Sequence, residues 1–213
     1  AQTKTDSLLS IYDRYWEVSP GIYRVMKNGN VGVVGEKGIL VPIEYQQVWS
    51  LADKNYFRVM RNGKTGLYHT EKGIVVPPEY DQIWNFSDGM MRVSQDGKLG
   101  IIGASGEVVA PCQYQQIWDF NNDIAKVIRD GKLGYINRQG QEIIPAIYQQ
   151  IGTFDNDQAK VVRDGKTGYI DMQGNEVVPC DYQQIWEYQN GMAKVVKNGQ
   201  IGFINTQGVE VIP

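Results

Sequence analysis

Residues 125–136, Ala-Lys-Val-Ile-Arg-Asp-Gly-Lys-Leu-Gly-Tyr-Ile, have the composition of two short β-strands joined by a two-residue turn. Both central residues of a type I′ turn need a positive φ angle, which Asp and Gly tolerate. The twist of this turn also matches the twist of a two-stranded hairpin. The stretch therefore predicts a β-hairpin whose turn is Asp130-Gly131.

The hairpin signature recurs along the chain at a fixed spacing. An Asn-Gly or Asp-Gly pair stands at Asn28-Gly29, Asn62-Gly63, Asp96-Gly97, Asp130-Gly131, Asp164-Gly165 and Asn198-Gly199. A second glycine follows each pair and recurs every 34 residues, at Gly32, Gly66, Gly100, Gly134, Gly168 and Gly202. A period of this length indicates a tandem-repeat protein, and no segment has a helical period. The predicted fold class is all-β, with six tandem 34-residue β-meander repeats.

Further elements follow the hairpin in each repeat. A glycine turn such as residues 171–174 precedes a strand, which a proline is predicted to end because proline cannot donate to a β-ladder. This proline recurs at Pro42, Pro77, Pro111, Pro145, Pro179 and Pro213. A further short strand, as in residues 148–151, is predicted to complete each repeat.

Tyrosine and tryptophan recur in one phase of the repeat. The tyrosines are Tyr12, Tyr45, Tyr80, Tyr114, Tyr148 and Tyr182. All five tryptophans lie four residues after one of them, at Trp16, Trp49, Trp84, Trp118 and Trp186, and Gly152 takes that place in the fifth repeat. Because a large indole with a single N–H suits a seam between packed elements, each tryptophan is predicted to be buried between neighbouring repeats. The tyrosine hydroxyls, and the glutamines that lie two residues after most of the tyrosines, are predicted to bond backbone groups.

Three features together resemble the bacterial WG-repeat family, which is named for its recurring tryptophan and glycine. They are the Tyr-x-x-x-Trp segment, the Asp/Asn-Gly-Lys-x-Gly hairpin and the Ile/Val-Pro-x-x-Tyr stretch. The resemblance covers residues 12–213 and is specific for the type of repeat, but it implies no single activity. The fifth repeat departs from the pattern at Gly152, and the first has Arg14 where the others have glutamine.

Two arrangements of the six repeats compete. An open array exposes an apolar face at each end and normally needs atypical capping repeats. The first and sixth copies keep the pattern, and only residues 1–11 could serve as an N-terminal extension or cap. A closed, propeller-like ring is therefore favoured for residues 12–213, which are predicted to form one domain. The short link between Pro179 and Tyr182 favours the alternative, an open β-solenoid or superhelix.

Basic residues provide the candidate ligand-binding positions. They lie eight positions before the second glycine of each repeat, at Arg24, Arg58, Arg92, Lys126, Lys160 and Lys194. Six like charges at one place in the repeat could hold an anionic glycan or an acidic peptide. The alternative is a solvated strand face whose charges discourage edge pairing. Gly152, where the absent tryptophan could open a groove, is the other candidate.

The residue inventory argues against an enzyme. His69 is the only histidine, and Cys112 and Cys180 are the only cysteines, so no metal site, no cofactor and no disulfide framework are predicted. No paired carboxylates stand out from the repeat background, and no phosphate-binding glycine loop precedes a helix. The net charge of −3 argues against a nucleic-acid partner. No apolar run reaches the roughly 18 residues of a transmembrane helix.

The predicted function is therefore that of a non-enzymatic, exported β-repeat protein, acting as a protein-interaction or surface scaffold module. Export is predicted because Ala1-Gln2-Thr3-Lys4 is a plausible start for a chain cut after a small-residue cleavage site. The predicted partner is a protein or a glycan. Two alternatives are a multivalent, lectin-like carbohydrate-binding protein and a self-assembling filament subunit.

Overall fold

A computed structural model describes residues 9–212, and the elements between Arg14 and Ile212 are all β-strands. Four consecutive strands form each sheet as an antiparallel meander, giving six four-stranded sheets in the described residues. The all-β repeat prediction is confirmed. The first three sheets contain β1 (Arg14–Ser19), β2 (Ile22–Lys27), β3 (Asn30–Gly35), β4 (Gly38–Tyr45), β5 (Gln47–Ser50), β6 (Tyr56–Arg61), β7 (Lys64–His69), β8 (Gly73–Tyr80), β9 (Gln82–Ser87), β10 (Met90–Gln95), β11 (Lys98–Gly103) and β12 (Val108–Tyr114).

The chain divides into two compact units, Ala1–Cys112 and Gln113–Pro213. The last three sheets contain β13 (Gln116–Ile117), β14 (Ile124–Arg129), β15 (Lys132–Asn137), β16 (Glu142–Tyr148), β17 (Gln150–Ile151), β18 (Gln158–Arg163), β19 (Lys166–Asp171), β20 (Glu176–Tyr182), β21 (Gln184–Ile185), β22 (Met192–Lys197), β23 (Gln200–Asn205) and β24 (Glu210–Ile212). Residues 1–8 of the predicted extension, and Pro213, lie outside the described residues. The ring, the superhelix and the single domain stay predictions.

The second and third strands of each sheet are joined by the predicted type I′ turn. Between β14 and β15, Arg129 pairs with Lys132, while Asp130 and Gly131 have φ angles of 50° and 72°. All six copies have two successive positive φ angles at this turn. Asn, Asp and Gly adopt this left-handed conformation at the lowest cost, so the hairpin prediction is confirmed.

The prediction that proline ends its strand is wrong. Pro145 lies within β16, which continues to Tyr148 and is an outer strand bonded only to β15. An outer strand tolerates proline where the missing N–H would face no partner. The predicted short strand at residues 148–151 is also wrong as a single element, because Tyr148 ends one sheet and β17 begins the next.

The glycine of the 34-residue period stands where two strands approach closely. The register of β15 and β16 shifts on either side of Tyr135, so β16 bulges over Gly134. A Cβ atom at Gly134 would lie 2.6 Å from the Ile144 carbonyl oxygen and 2.7 Å from the Ala146 nitrogen. An equally close carbonyl oxygen, at 2.5–2.7 Å, faces the corresponding position of Gly32, Gly66, Gly100 and Gly168. Only glycine fits such an approach without a shift of the backbone.

The core lies in the seams between consecutive sheets of each unit. In the second unit, Tyr148 at the end of β16 packs against Ile151 and Val161 of the next sheet. Ala159 and Val161 are both buried, whereas Lys160 between them is exposed. This alternation follows the two-residue period of a strand. Within each unit, a sheet that follows another therefore packs one apolar face on it and carries its basic residue on the other face.

Candidate binding surface

The recurring tryptophan and the recurring basic residue form a pair on one face of the sheet. The backbone N–H of Trp118 donates to the carbonyl oxygen of Lys126 at 3.0 Å, so the two residues stand opposite each other. Opposite residues of antiparallel strands project to the same face, which brings the cation over the indole. The distances from cation to ring centroid are 5.0 Å for Arg24–Trp16, 5.7 Å for Lys126–Trp118 and 5.1 Å for Lys194–Trp186. We call these three the Trp–cation pairs.

The other sheets place the two residues in similar positions. Trp49 pairs with Arg58 in the register of β5 and β6, and both side chains are half-buried. Trp84 in β9 and Arg92 in β10 are also half-buried. The basic residue and the tryptophan, which the sequence pattern presents as two separate periodic features, are therefore neighbours in space.

The prediction that the tryptophans are buried in the seams is wrong. Trp16, Trp118 and Trp186 are 38%, 41% and 38% exposed. Trp186 lies in the last sheet, whereas Trp118 lies in a sheet that another sheet follows, yet their exposed fractions are similar. The following sheet therefore covers little of the indole, and the seam is filled by smaller aliphatic side chains and tyrosine instead.

The basic residues also connect consecutive sheets. They lie in the second strand of each sheet, which is bonded on both sides, so the interpretation as charges that discourage edge pairing is wrong. The exposure of their side chains varies: Lys160 and Lys194 are exposed, and the other four are half-buried. Three reach a backbone carbonyl of the following sheet: Arg24 Nη1 to Val48 (3.4 Å), Arg58 Nη1 to Ile83 (2.9 Å) and Lys160 Nζ to Ile185.

The fifth sheet keeps this backbone arrangement without an indole. The backbone N–H of Gly152 donates to the carbonyl oxygen of Lys160 at 2.8 Å, just as the backbone N–H of Trp118 donates to that of Lys126. A cleft of about 480 Å³ opens here and is lined by Gly152, Lys160, Leu133 and Val162, among others. We call it the Gly152 cleft. Its volume falls within the roughly 300–1,000 Å³ of small-ligand pockets.

A second cleft adjoins Lys160 on the side of the sixth sheet. Its volume is about 690 Å³, and Asp155, Glu187, Tyr169 and Tyr188 line it together with Lys160. The rings of Tyr169 and Tyr188 meet edge to face at 5.6 Å. We call this the acidic cleft, because its two carboxylates face the space beside the lysine.

Four consecutive stretches of the chain, residues 66–98, 100–132, 134–166 and 168–200, match the family model of the WG containing repeat. Together they make up more than half of the chain. The chain belongs to the WG-repeat family. No curated protein sequence matches it.

Several solved structures are distantly similar to this WG-repeat chain. Hsv2 of Kluyveromyces lactis is 11% identical, over 87% of this chain and 71% of that one, with a TM-score of 0.33. PorZ, an essential bacterial surface component of the type-IX secretion system of Porphyromonas gingivalis, is 10% identical over 95% of this chain and 33% of that one, with a TM-score of 0.33. The WD40 domain of Neurospora crassa Pan2 is 11% identical over 95% and 77%, with a TM-score of 0.28.

A second set of cations in the WG repeats lies against the recurring tyrosines. Tyr12 is half-buried and the other five tyrosines are buried. Arg163 lies 6.0 Å from the ring centroid of Tyr148 and forms an ion pair with Glu176. The hydroxyl of Tyr182 donates to Glu210 Oε1 at 3.2 Å. The predicted hydroxyl bonds to backbone are therefore wrong at this position, where a carboxylate is the acceptor.

The residue after the tyrosine has a role that was not predicted from the sequence, since in the first five repeats its side chain caps a hairpin turn. Gln149 Oε1 accepts the N–H of Gly165 at 2.9 Å, and Asp81 Oδ2 accepts the N–H of Asp96 at 2.8 Å. The sequence does contain a signal for this role, because every repeat has a side chain that can accept a hydrogen bond directly after the tyrosine. These residues are Asp13, Gln46, Asp81, Gln115, Gln149 and Gln183. The glutamines predicted to bond backbone instead have exposed side chains, at Gln47, Gln82, Gln116, Gln150 and Gln184.

The remaining reactive side chains of the WG repeats are held in structural positions. Burial raises the pKa of the Cys112 and Cys180 thiols, which keeps both protonated and weakly nucleophilic at neutral pH. His69 Nδ1 accepts the backbone N–H of Glu71 at 3.1 Å. Within residues 9–212, no group of three or more His, Cys, Asp or Glu side chains is placed to hold a metal ion. In the same range, no helix has the length and hydropathy needed to cross a membrane.

The buried tyrosines make stability sensitive to alkali. Burial, with nearby acidic or tyrosine groups, raises the pKa of Tyr45, Tyr182 and Tyr188 to about 12. Between about pH 10, where an unfolded chain loses these protons, and about pH 12, the folded state retains them. We therefore expect the free energy of unfolding to fall as pH rises through this window, as measured by urea unfolding. Tyr188→Phe should make the fall less steep, while Ile147→Ala, which removes no ionisable group, should leave its steepness unchanged.

Proposed function

We propose that this WG-repeat protein is a non-enzymatic, exported module that binds other proteins, acting as an interaction or surface scaffold. The observation that carries the proposal is the repetition of exposed indoles beside Arg or Lys, at Trp16, Trp118 and Trp186. Tryptophan and arginine are enriched at protein interfaces, because each combines a large contact area with a polar group. A surface that repeats such groups can gain avidity for a partner that spans several sheets.

The structural roles of the other recurring residues support this proposal. The tyrosines fill the core, and the glycine of the 34-residue period permits a close approach of two strands. In five repeats the residue after the tyrosine caps a turn. Of the two recurring aromatic residues, tryptophan is much less buried than tyrosine. A large aromatic side chain is kept in five of six repeats, at a position that is exposed in three of them and half-buried in two, and this favours a role in binding.

Carbohydrate binding is the second candidate, and the exposure of the tryptophans favours it. A flat indole can stack on the apolar face of a sugar ring, and repeated weak sites would again act through avidity. The protein-binding proposal is preferred because a Lys or Arg stacked against an indole, as at Trp16, Trp118 and Trp186, is a feature of protein interfaces. Self-assembly stays a prediction from the sequence.

Selection from a random displayed-peptide library tests the proposal. We expect the native protein to enrich related peptides, and the variant Trp118→Ala/Trp186→Ala to lose at least about tenfold in affinity for them. The matched control is Ile147→Ala, whose side chain is as exposed as that of Trp186 (38%) but lies on an outer strand. Enrichment that does not depend on the tryptophans would contradict the proposal. Failure to enrich peptides, combined with tryptophan-dependent binding on a glycan array, would establish the carbohydrate alternative instead.

A further inference from the structure

Arg24 in the first sheet and Lys160 in the fifth occupy the same position of the repeat, but only Arg24 has an indole beside it. Arg24 bonds the carbonyl oxygen of Val48 and at the same time lies 5.0 Å from the ring centroid of Trp16. Lys160 makes the corresponding bond to Ile185, but Gly152 has no side chain to cover it. The lysine is therefore held by the next sheet in a position where the other repeats stack an indole.

The Gly152 cleft has the shape and lining for a flat apolar group. Leu133 and Val162 contribute apolar walls, and Lys160 contributes a cation. A Cβ atom built on Gly152 would lie 3.3 Å from the Lys160 carbonyl oxygen, a tight contact that a shift of a few tenths of an ångström would relieve, and its next nearest neighbours are 3.9 Å away. An aromatic ring is the group that benefits from both an apolar wall and a cation against its face.

The acidic cleft indicates the charge of the partner segment next to its aromatic ring. Asp155 and Glu187 line it beside Lys160, within the same pair of sheets. A ligand whose ring lies over Lys160 would therefore bring its neighbouring groups close to two carboxylates. A positively charged side chain next to the aromatic residue complements that charge.

We propose that the Gly152 cleft binds an aromatic side chain of a partner protein, which stacks on Lys160 in the place of the missing tryptophan, while an adjacent basic residue of the partner meets Asp155 and Glu187. This inference rests on the proposed protein-binding function and gives it a position and a class of partner segment. The three repeats with a Trp–cation pair then supply their own aromatic ring, and the fifth repeat takes its ring from another chain.

The probe for the test is N-acetyl-tryptophanyl-lysine amide, titrated into the uniformly ¹⁵N-labelled protein. We expect amide shifts centred on Gly152 and Lys160, with a dissociation constant of about 1 mM, as befits a fragment-sized ligand. The matched probe N-acetyl-tryptophanyl-glutamate amide should bind about tenfold more weakly, because its carboxylate faces Asp155 and Glu187.

Two substitutions should change the number of binding sites in opposite directions. Gly152→Trp installs the residue that the other repeats carry, so the protein should fold and lose the shifts around Lys160. Trp118→Gly opens the same surface over Lys126 and should add a second, weaker binding site, because uncharged residues stand where the fifth repeat has its two carboxylates. Circular dichroism and the dispersion of the amide spectrum confirm that each variant is folded.

Three results would overturn the inference: no shifts at Gly152 and Lys160 in the native protein, unchanged probe binding by folded Gly152→Trp, or shifts there with a neutral oligosaccharide and not with the probe. Failure of the probe alongside a tryptophan-dependent peptide selection would remove the Gly152 cleft as a site but leave the proposed function standing. Probe binding without any selected peptide would support the cleft and remove the exposed tryptophans as the interaction surface.

Discussion

Gly134→Ala is expected to lower the free energy of unfolding by about 3 kcal/mol, measured by urea unfolding. The added methyl group would lie 2.6 Å from the Ile144 carbonyl oxygen and 2.7 Å from the Ala146 nitrogen. Both contacts are with backbone of the bulged outer strand, so no side chain can turn away to relieve them. Relief would require β16 to separate from β15 and to disturb the seam that Ile144 and Tyr148 fill.

Gly131→Ala is the matched control in the same hairpin. Gly131 has a φ angle of 72°, but nothing lies within 4 Å of its Cβ position. Its substitution should therefore cost about 1 kcal/mol, from the left-handed backbone alone. Equal losses for the two variants would contradict the close approach of the strands as the reason for glycine at position 134.

Tyr148→Ala should cost about 3–5 kcal/mol of the free energy of unfolding, the range for removal of a buried aromatic side chain. Tyr148 is 1% exposed and packs in the seam between the fourth and fifth sheets. Trp118→Ala should cost only about 1–2 kcal/mol, because its indole is 41% exposed and loses mainly its contact with Lys126. Urea unfolding of both variants measures the difference.

Tyr148→Phe separates the ring from its hydroxyl. It retains the packing in the seam and should cost about 1 kcal/mol or less, the net value of a typical hydrogen bond. A larger loss of unfolding free energy for Trp118→Ala than for Tyr148→Ala would contradict the structure and would indicate that the tryptophan is buried in the core. A large loss for Tyr148→Phe would place the main contribution of the tyrosine in its hydroxyl.

The local features of the repeat were predictable from sequence. The Asp130-Gly131 turn and the strands beside it follow from the φ angles that these residue types adopt and from β-branched composition, which need no distant partner. The count of six units follows from the spacing of the glycines. The recurring basic residue was also identified from its spacing. Its contact with the tryptophan was not predicted, because the pairing register that places Lys126 opposite Trp118 does not follow from their separation in the sequence.

The predictions that were wrong depend on which strand neighbours which. Pro145 looks like the end of a strand, but it lies inside an outer strand whose missing N–H has no partner to lose. Tyr148 looks like the start of the next strand, but it ends the previous one and enters the core. Both outcomes are set by the position of a strand in its sheet, which local composition does not specify.

The amino-acid sequence alone determines the repeat, its hairpin turn and its all-β character, because each follows from backbone preferences within a few residues. Packing between sheets decides which aromatic residue is buried. Tyrosine lies at the end of the outer strand, in the seam, whereas tryptophan lies beside a cation on the face that the next sheet leaves partly uncovered. Burial is a property of two surfaces in contact. The burial of tyrosine in place of tryptophan, and the presence of the Gly152 cleft, are therefore decided only by how the sheets pack.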